Sequence, residues 1–291
     1  MRTAVSTRIT LVPALLFSLS LLFLTGCAGQ GASSPRATVS KTSSEADDLR
    51  LADSALNAGS LQMAASVYEK ALKASPNSLA ATLGLGEVAY RTGDMERARL
   101  IYLEAEQLAP KQIEPKIGLA RVEIRKRHLD EAIAIYRTAL AIQPDNSAAA
   151  AGLGTALDLQ GHHDQAQAIY RQALLAHPEA QNLRIDLGLS LVLAQKVREG
   201  IDILLDVANL QDAPPEARQD LALAFGVLGN TETAKQILTR DLPPANVNDN
   251  LRFYAAMRKA YSDNPAVGSV SHAIPPASTE AIKNGGPPQT Q

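Results

Sequence analysis

The sequence predicts an all-α fold, a solenoid of about six helix-turn-helix repeats closed by a C-terminal helix. Three observations carry the prediction. Small residues recur every 34 positions, at Ala64, Ala98, Ala132, Ala166, Gly200 and Ala234, and a period of 20–50 residues marks stacked supersecondary units. Other residue types keep the same phase along the chain. No long run of alternating apolar and polar residues marks a strand.

Residues 1–26 read as a signal peptide that precedes the fold. Arg2 and Arg8 give a basic start, and Ile9 to Leu24 is apolar apart from Thr, Ser and Pro13. A basic segment, a short apolar segment and small closing residues are the marks of a secretory signal. The apolar run of about 16 residues falls short of the roughly 20 that a spanning helix needs. Cys27 is the one cysteine, so no intrachain disulfide forms. Leu24-Thr25-Gly26-Cys27 resembles the bacterial lipobox. That resemblance implies cleavage before Cys27 and lipidation of its thiol and new amino group. Ala28, standing where an Asp would retain a lipoprotein at the inner membrane, implies sorting to the outer membrane of a Gram-negative bacterium, facing the periplasm. Residues 27–44 then shift to Gly, Ala, Ser, Thr and Gln. Such a composition predicts a flexible linker with an rms reach of roughly 20–25 Å.

The repeats occupy residues 45–246. Four positions after each small residue come Tyr68, Tyr102, Tyr136, Tyr170, Leu204 and Leu238, and twelve after come Pro76, Pro110, Pro144 and Pro178. Twelve before comes another small residue, Ala52, Gly86, Ala120, Gly154, Gly188 or Ala222, each preceded by Leu. Two helices that cross closely need small side chains on both at the crossing, and the Tyr and Leu fill the space beside it. Proline cannot continue a helix and so ends each pair. Gly59, Gly93 and Gly161 supply the turn between the two helices of a repeat. Repeat five has Gln195 at that place, and the last two repeats lack the closing proline in phase.

This pattern resembles the tetratricopeptide repeat family, most closely in repeats one to four. The resemblance implies a protein-binding scaffold whose first helices line a concave groove. Carried over by phase, the groove residues are Leu49, Leu83, Glu87, Tyr90, Ile117, Arg121, Ile124, Ile185, Leu189, Val192 and Leu223. The groove is thus expected to be largely aliphatic and to suit an amphipathic helix or an extended apolar segment. The Lys and Asn with which some members clamp a terminal carboxylate are missing from it. Arg121, Arg125, Lys126 and Arg127 form a basic run that reads as a solvated helix end or as a contact for an acidic partner.

Residues 247–262 carry one more amphipathic pattern, with Leu251, Tyr254, Ala255, Arg258 and Tyr261, and are expected to cap the stack. Residues 263–291 are rich in Pro, Gly, Ser and Asn without helical periodicity and are expected to be disordered. Asp241-Leu242-Pro243-Pro244, Asn250-Leu251 and Tyr254, together with the lipobox, linker and six repeats, resemble TadD-type lipoproteins of the tight-adherence (Flp) pilus system. That resemblance implies a partner among pilus assembly components, a secretin foremost.

The chain has 28 Lys and Arg against 30 Asp and Glu, a balance that gives no footprint for nucleic acid. No catalytic constellation and no cofactor or metal site is expected. His162-His163 beside Asp164 lacks further convergent ligands and reads as a solvated turn. Gly84-Leu85-Gly86 and Gly152-Leu153-Gly154 fall at helix crossings with no strand before them, unlike a phosphate-binding loop. Two alternatives stay open: an adaptor for cell-envelope hydrolases or polysaccharide export, and an enzyme or enzyme subunit, which a metal bound at His162-His163 would support.

Overall fold

The computed structural model describes residues 41–263, with side chains from Glu45 onward. The signal segment, Cys27 and the tail after Asp263 lie outside the described residues. Helices pair as α1 (Lys41–Asn57) with α2 (Leu61–Ala74), α3 (Leu79–Thr92) with α4 (Met95–Leu108) and α5 (Glu114–Arg125) with α6 (Leu129–Ile142). They continue as α7 (Ser147–Leu159) with α8 (His163–Ala176), α9 (Gln181–Leu193) with α10 (Val197–Ala208) and α11 (Pro215–Leu228) with α12 (Thr231–Leu238), followed by α13 (Pro244–Asp263). The described residues contain no strand. The odd-numbered helices touch one another in succession, whereas the even-numbered ones touch only the helices that flank them. The odd set therefore lies closer together and forms the inner, concave face.

Each crossing is built from the predicted small residues. Ala52, Ala64, Ala98, Ala120, Ala132, Ala166, Ala222 and Ala234 are fully buried. Where α9 crosses α10, a Cβ on Gly200 would lie 2.7 Å from the carbonyl oxygen of Gly188, so neither helix can carry a longer side chain there. The phased tyrosines wedge against glycines of the next repeat. A Cβ on Gly84 would stand 2.3 Å from the ring of Tyr68, and one on Gly152 2.1 Å from that of Tyr136. Truncating a buried aromatic of this kind costs about 3–5 kcal/mol.

The ends are written in the same register. Later repeats bury Ala81, Ala149, Leu183 and Ala217 at the position that Asp47 holds in repeat one. They place Gly84, Gly118 and Gly152 where repeat one has Arg50, which pairs with Asp47 on an exposed surface. Polar residues thus finish the N-terminal face, and Leu51 alone of its series is left open, at 46% exposure. At the other end α13 packs on α11 and α12 in the place of a seventh first helix. Its Val247, Tyr254 and Met257 are buried, and Tyr254 lies against Gly226.

Helix bounds differ from expectation at both ends. α1 begins at Lys41, inside the segment 27–44 assigned to the linker. Thr and Ser disfavour helix interiors, but the first turn admits them because its amides need no helical acceptor. α13 begins at Pro244 rather than at 247, and Asp263 closes it. The Val247 amide donates to the Pro243 carbonyl at 3.1 Å. Pro244 is thus a first helical residue, where its missing N–H costs nothing.

Every turn within a repeat places one residue in the left-handed region: Gly59, Gly93, Arg127, Gly161, Gln195 and Gly229, with φ from 63° to 97°. They recur at the 34-residue interval. A side chain in this region costs roughly 1–2 kcal/mol, and Gln195 also buries its Nε2 without an acceptor. Gln195→Gly is expected to stabilise the fold by about 1 kcal/mol, after the entropy that glycine adds to the unfolded chain. Thermal denaturation checks this: the midpoint should rise by roughly 2–4 °C, and a fall would show that Gln195 contributes more by packing than it loses by strain.

Candidate partner-binding groove

The inner face is open between α1, α3 and α5, where a cleft of ≈ 350 Å³ is lined by Leu56, Leu83, Ile117, Asp53, Glu87 and Arg121, among others. Its polar groups are held by partners. The Glu87 carboxylate accepts from Arg91 Nε at 2.7 Å and from Arg121 Nη1 at 2.8 Å. Burial would raise its pKa, but the two guanidiniums outweigh that and hold it below the usual carboxylate range. Arg121 also stacks 4.2 Å over the Tyr90 ring, with Arg125 at 5.4 Å. The tyrosine wedges reach this face from behind. Tyr68 Oη donates to Asp53 Oδ1 at 2.5 Å and Tyr102 Oη to Glu87 Oε2 at 3.4 Å. The glycines that face the rings leave the wall thin enough for the hydroxyls to pass.

Three repeats later the charged positions of the cleft recur with different chemistry, although Tyr170 and Glu216 repeat Tyr68 and Glu114. Leu189 and Leu223 stand where Glu87 and Arg121 pair, and Asp186 and Asp220 stand where Gly84 and Gly118 lie. Asp158, in the place of Leu56, accepts from Ser190 Oγ at 2.7 Å and Tyr170 Oη at 3.1 Å, and bonds His163 Nδ1 at 2.7 Å. Burial pushes Asp186 up to about 7, helped by the charge of Asp158. Burial likewise pushes Asp220 up to about 7, helped by Asp186 and Glu216. Tyr170 is raised by its burial and by Asp158 and Asp186.

Leu49, Leu83, Glu87, Tyr90, Ile117, Arg121, Ile124, Leu189 and Leu223 are all half-buried. Leu83, Glu87, Ile117 and Arg121 share the first cleft. Ile185 and Val192 differ from expectation. They are 8% and 0% exposed and sit in a core cluster with Ile201, Leu204 and Leu221. Gly188 and Gly200 let α9 and α10 approach so closely that Val192 is enclosed at the crossing. Two members of the basic run are paired with carboxylates: Arg121 with Glu87 and Lys126 with Glu96. His163 is not a solvated turn residue. It opens α8, is 8% exposed and is fixed by Asp158. Sequence reading passed over Asp186 and Asp220. The available signal was the 34-residue phase, which puts a carboxylate in a row held by glycine in repeats two to four.

Family models described as tetratricopeptide repeat match residues 49–113, 124–186 and 156–218. The chain belongs to the tetratricopeptide repeat family. A tetratricopeptide repeat protein from Parabacteroides merdae is similar in structure, at 14% identity and a TM-score of 0.62, covering 76% of this chain and 86% of that one. The Cut9–Hcn1 hetero-tetramer of the APC/C contains a chain at 15% identity and TM-score 0.64, covering 72% of this chain and 43% of the other. Pseudomonas aeruginosa pilF gives 15% identity and TM-score 0.57, over 77% and 99% respectively. At these identities the likeness is one of fold. No curated protein matches the chain. Tetratricopeptide repeats form protein-interaction scaffolds, and the open inner face supplies this chain with the corresponding surface.

The acidic rungs give the tetratricopeptide stack a distinctive pH dependence. With their pKa raised on folding, Asp186 and Asp220 bind protons more tightly in the folded than in the unfolded chain. Their stabilising contribution is complete below the ordinary carboxylate pKa and is lost as pH rises from about 4 through about 7. Asp186→Asn with Asp220→Asn is expected to remove this decline and to stabilise the protein in neutral buffer by roughly 1–2 kcal/mol per site, allowing for solvent access to the groove. Denaturant titration across this pH range reads the slope. A slope unchanged in the double variant would show that other groups carry it.

Proposed function

We propose that this protein is a periplasmic scaffold, lipid-anchored to the outer membrane through Cys27, that assists assembly of a tight-adherence (Flp) type pilus or a secretion apparatus. The observation that carries the scaffold is the inner face, where half-buried aliphatic side chains are presented in successive repeats and no described element covers them. The anchor rests on the sequence around Cys27, and the pilus assignment on the resemblance of layout and of the Asp241–Tyr254 segment to TadD-type lipoproteins. The lipid confines the complex to one membrane, and the short linker keeps the groove within reach of a membrane-bound partner. Confinement of this kind raises the effective concentration of one component for another without any new contact. The foremost partner is a secretin subunit.

Two experiments test separate parts of this reading. In a strain lacking the gene, secretin multimers in the outer membrane are expected to fall; wild type should restore them and Cys27→Ala should not. Cys27→Ala should also leave an uncut precursor, and identical size and membrane attachment of mutant and wild type would remove the anchor. For the groove, Leu189→Arg inserts a charge among the aliphatic rungs. It should abolish co-purification of the partner while the helical circular dichroism signal stays intact. Unchanged capture would exclude this face.

A further inference from the structure

The two halves of the groove balance their charge differently. In the N-terminal half, Glu87 is neutralised by Arg91 and Arg121. In the C-terminal half, Asp158 is satisfied by Ser190, Tyr170 and His163. Asp186 and Asp220 receive no hydrogen bond and no ion pair from any described residue, although most of their surface is withdrawn from water. The groups that face them are acidic or neutral. Asp158 comes from α7, Tyr170 from α8, Glu216 from α11 and Tyr254 from α13.

Nearby cations are committed elsewhere. α7 has no Lys or Arg. The guanidinium of Arg184, on α9, donates to the Pro178 carbonyl. That of Arg218, on α11, makes a two-pronged pair with Asp241 at 2.7 and 2.8 Å. The Leu189 and Leu223 rungs, each half-buried, lie one helical turn from Asp186 and Asp220 on the same helices.

A carboxylate largely withdrawn from water and without a partner is costly unless it takes up a proton or gains a donor. The described residues supply none, and none of them covers the groove against a donor from outside. We infer that the groove from α7 to α11 binds a cationic, aliphatic segment of a partner protein, with Lys or Arg side chains meeting Asp186 and Asp220 and apolar side chains meeting Leu189 and Leu223. The inference rests on the groove being the partner site and adds the chemistry of what enters it. Adjacent packed helices lie about 8–10 Å apart. The two cations are therefore spaced by two turns of a helix or about three residues of an extended chain. An uncharged aliphatic segment would leave both carboxylates buried and unpaired. An acidic segment would add repulsion.

The test uses the full chain and two fluorescent probes, a short amphipathic peptide of Lys and Leu and its twin with Glu for Lys. Anisotropy in mildly alkaline buffer, where both aspartates are charged, is expected to show binding of the Lys–Leu peptide alone. Asp186→Asn with Asp220→Asn should weaken it roughly tenfold or more, with the thermal midpoint kept or raised, and Leu100→Arg, on the outer helix α4 at 65% exposure, should leave it unchanged. Absence of binding, or equal binding by the double Asn variant, overturns the inference. If Leu83→Arg in the N-terminal cleft then proves to be the damaging change, the groove remains the partner site and only its assigned chemistry falls. If Leu83→Arg, Leu189→Arg and the double Asn variant all bind as wild type does, the groove reading falls with it.

Discussion

The stack depends on how closely the two helices of each repeat can cross. At the crossing only Ala or Gly fits on either side, as the 2.7 Å gap between a Gly200 Cβ and the Gly188 oxygen shows. Once the helices are this near, the space beside the contact is fixed, and one large side chain per repeat fills it. Tyr68, Tyr136 and Tyr170 do so at 1% exposure and Tyr102 at 3%. The same rings then meet the first helix of the next repeat, so a single residue joins its own pair to its neighbour. Stability in such an array is a sum of repeats and interfaces. The tyrosine row supplies both terms.

Packing on the outside of the groove wall also sets the polarity of its inside. Glycines opposite the tyrosines thin the wall, and the phenolic hydroxyls reach Asp53 and Glu87 on the inner face. In repeats five and six Leu204 and Leu238 replace the tyrosines. The wedge then ends in methyl groups and donates nothing. Aspartates enter the glycine row at Asp186 and Asp220. The changes in core and groove thus occur together along the chain, from a half with paired charges to a half with aliphatic rungs and carboxylates that lack a donor. A partner that spans both halves meets two different chemistries, and the solenoid gives the segment a direction as well as a place.

A scaffold on a lipid tether works by restricting search. The proposed anchor holds the groove near the membrane, and the repeats supply a rigid face on which a partner can be ordered. The polar Asp47 and Arg50 at the N-terminal end and the helix α13 at the other end take the places where a further repeat would pack.

Much of this was legible in the sequence because a strict period converts position into environment. The 34-residue phase located the crossings at Ala64 through Ala234, the tyrosine row and the alternation of helices and turns, since each repeat needs the same residue at the same place. It also located the half-buried rungs Leu83, Ile117, Leu189 and Leu223. Phase alone did not distinguish a groove residue from a core residue where two helices close unusually far, and so Ile185 and Val192 were enclosed by the Gly188–Gly200 crossing. Nor could it show that Glu87 and Arg121, one period apart, would neutralise each other, or that His163 would turn inward to Asp158. Those outcomes depend on distances between different repeats and on which charges are withdrawn from water together. Sequence determined the repeat and its register, because these follow from local sterics renewed every 34 residues. Tertiary structure decided which side chains face the groove and which carboxylates are left without a partner, because that depends on how adjacent repeats close on one another.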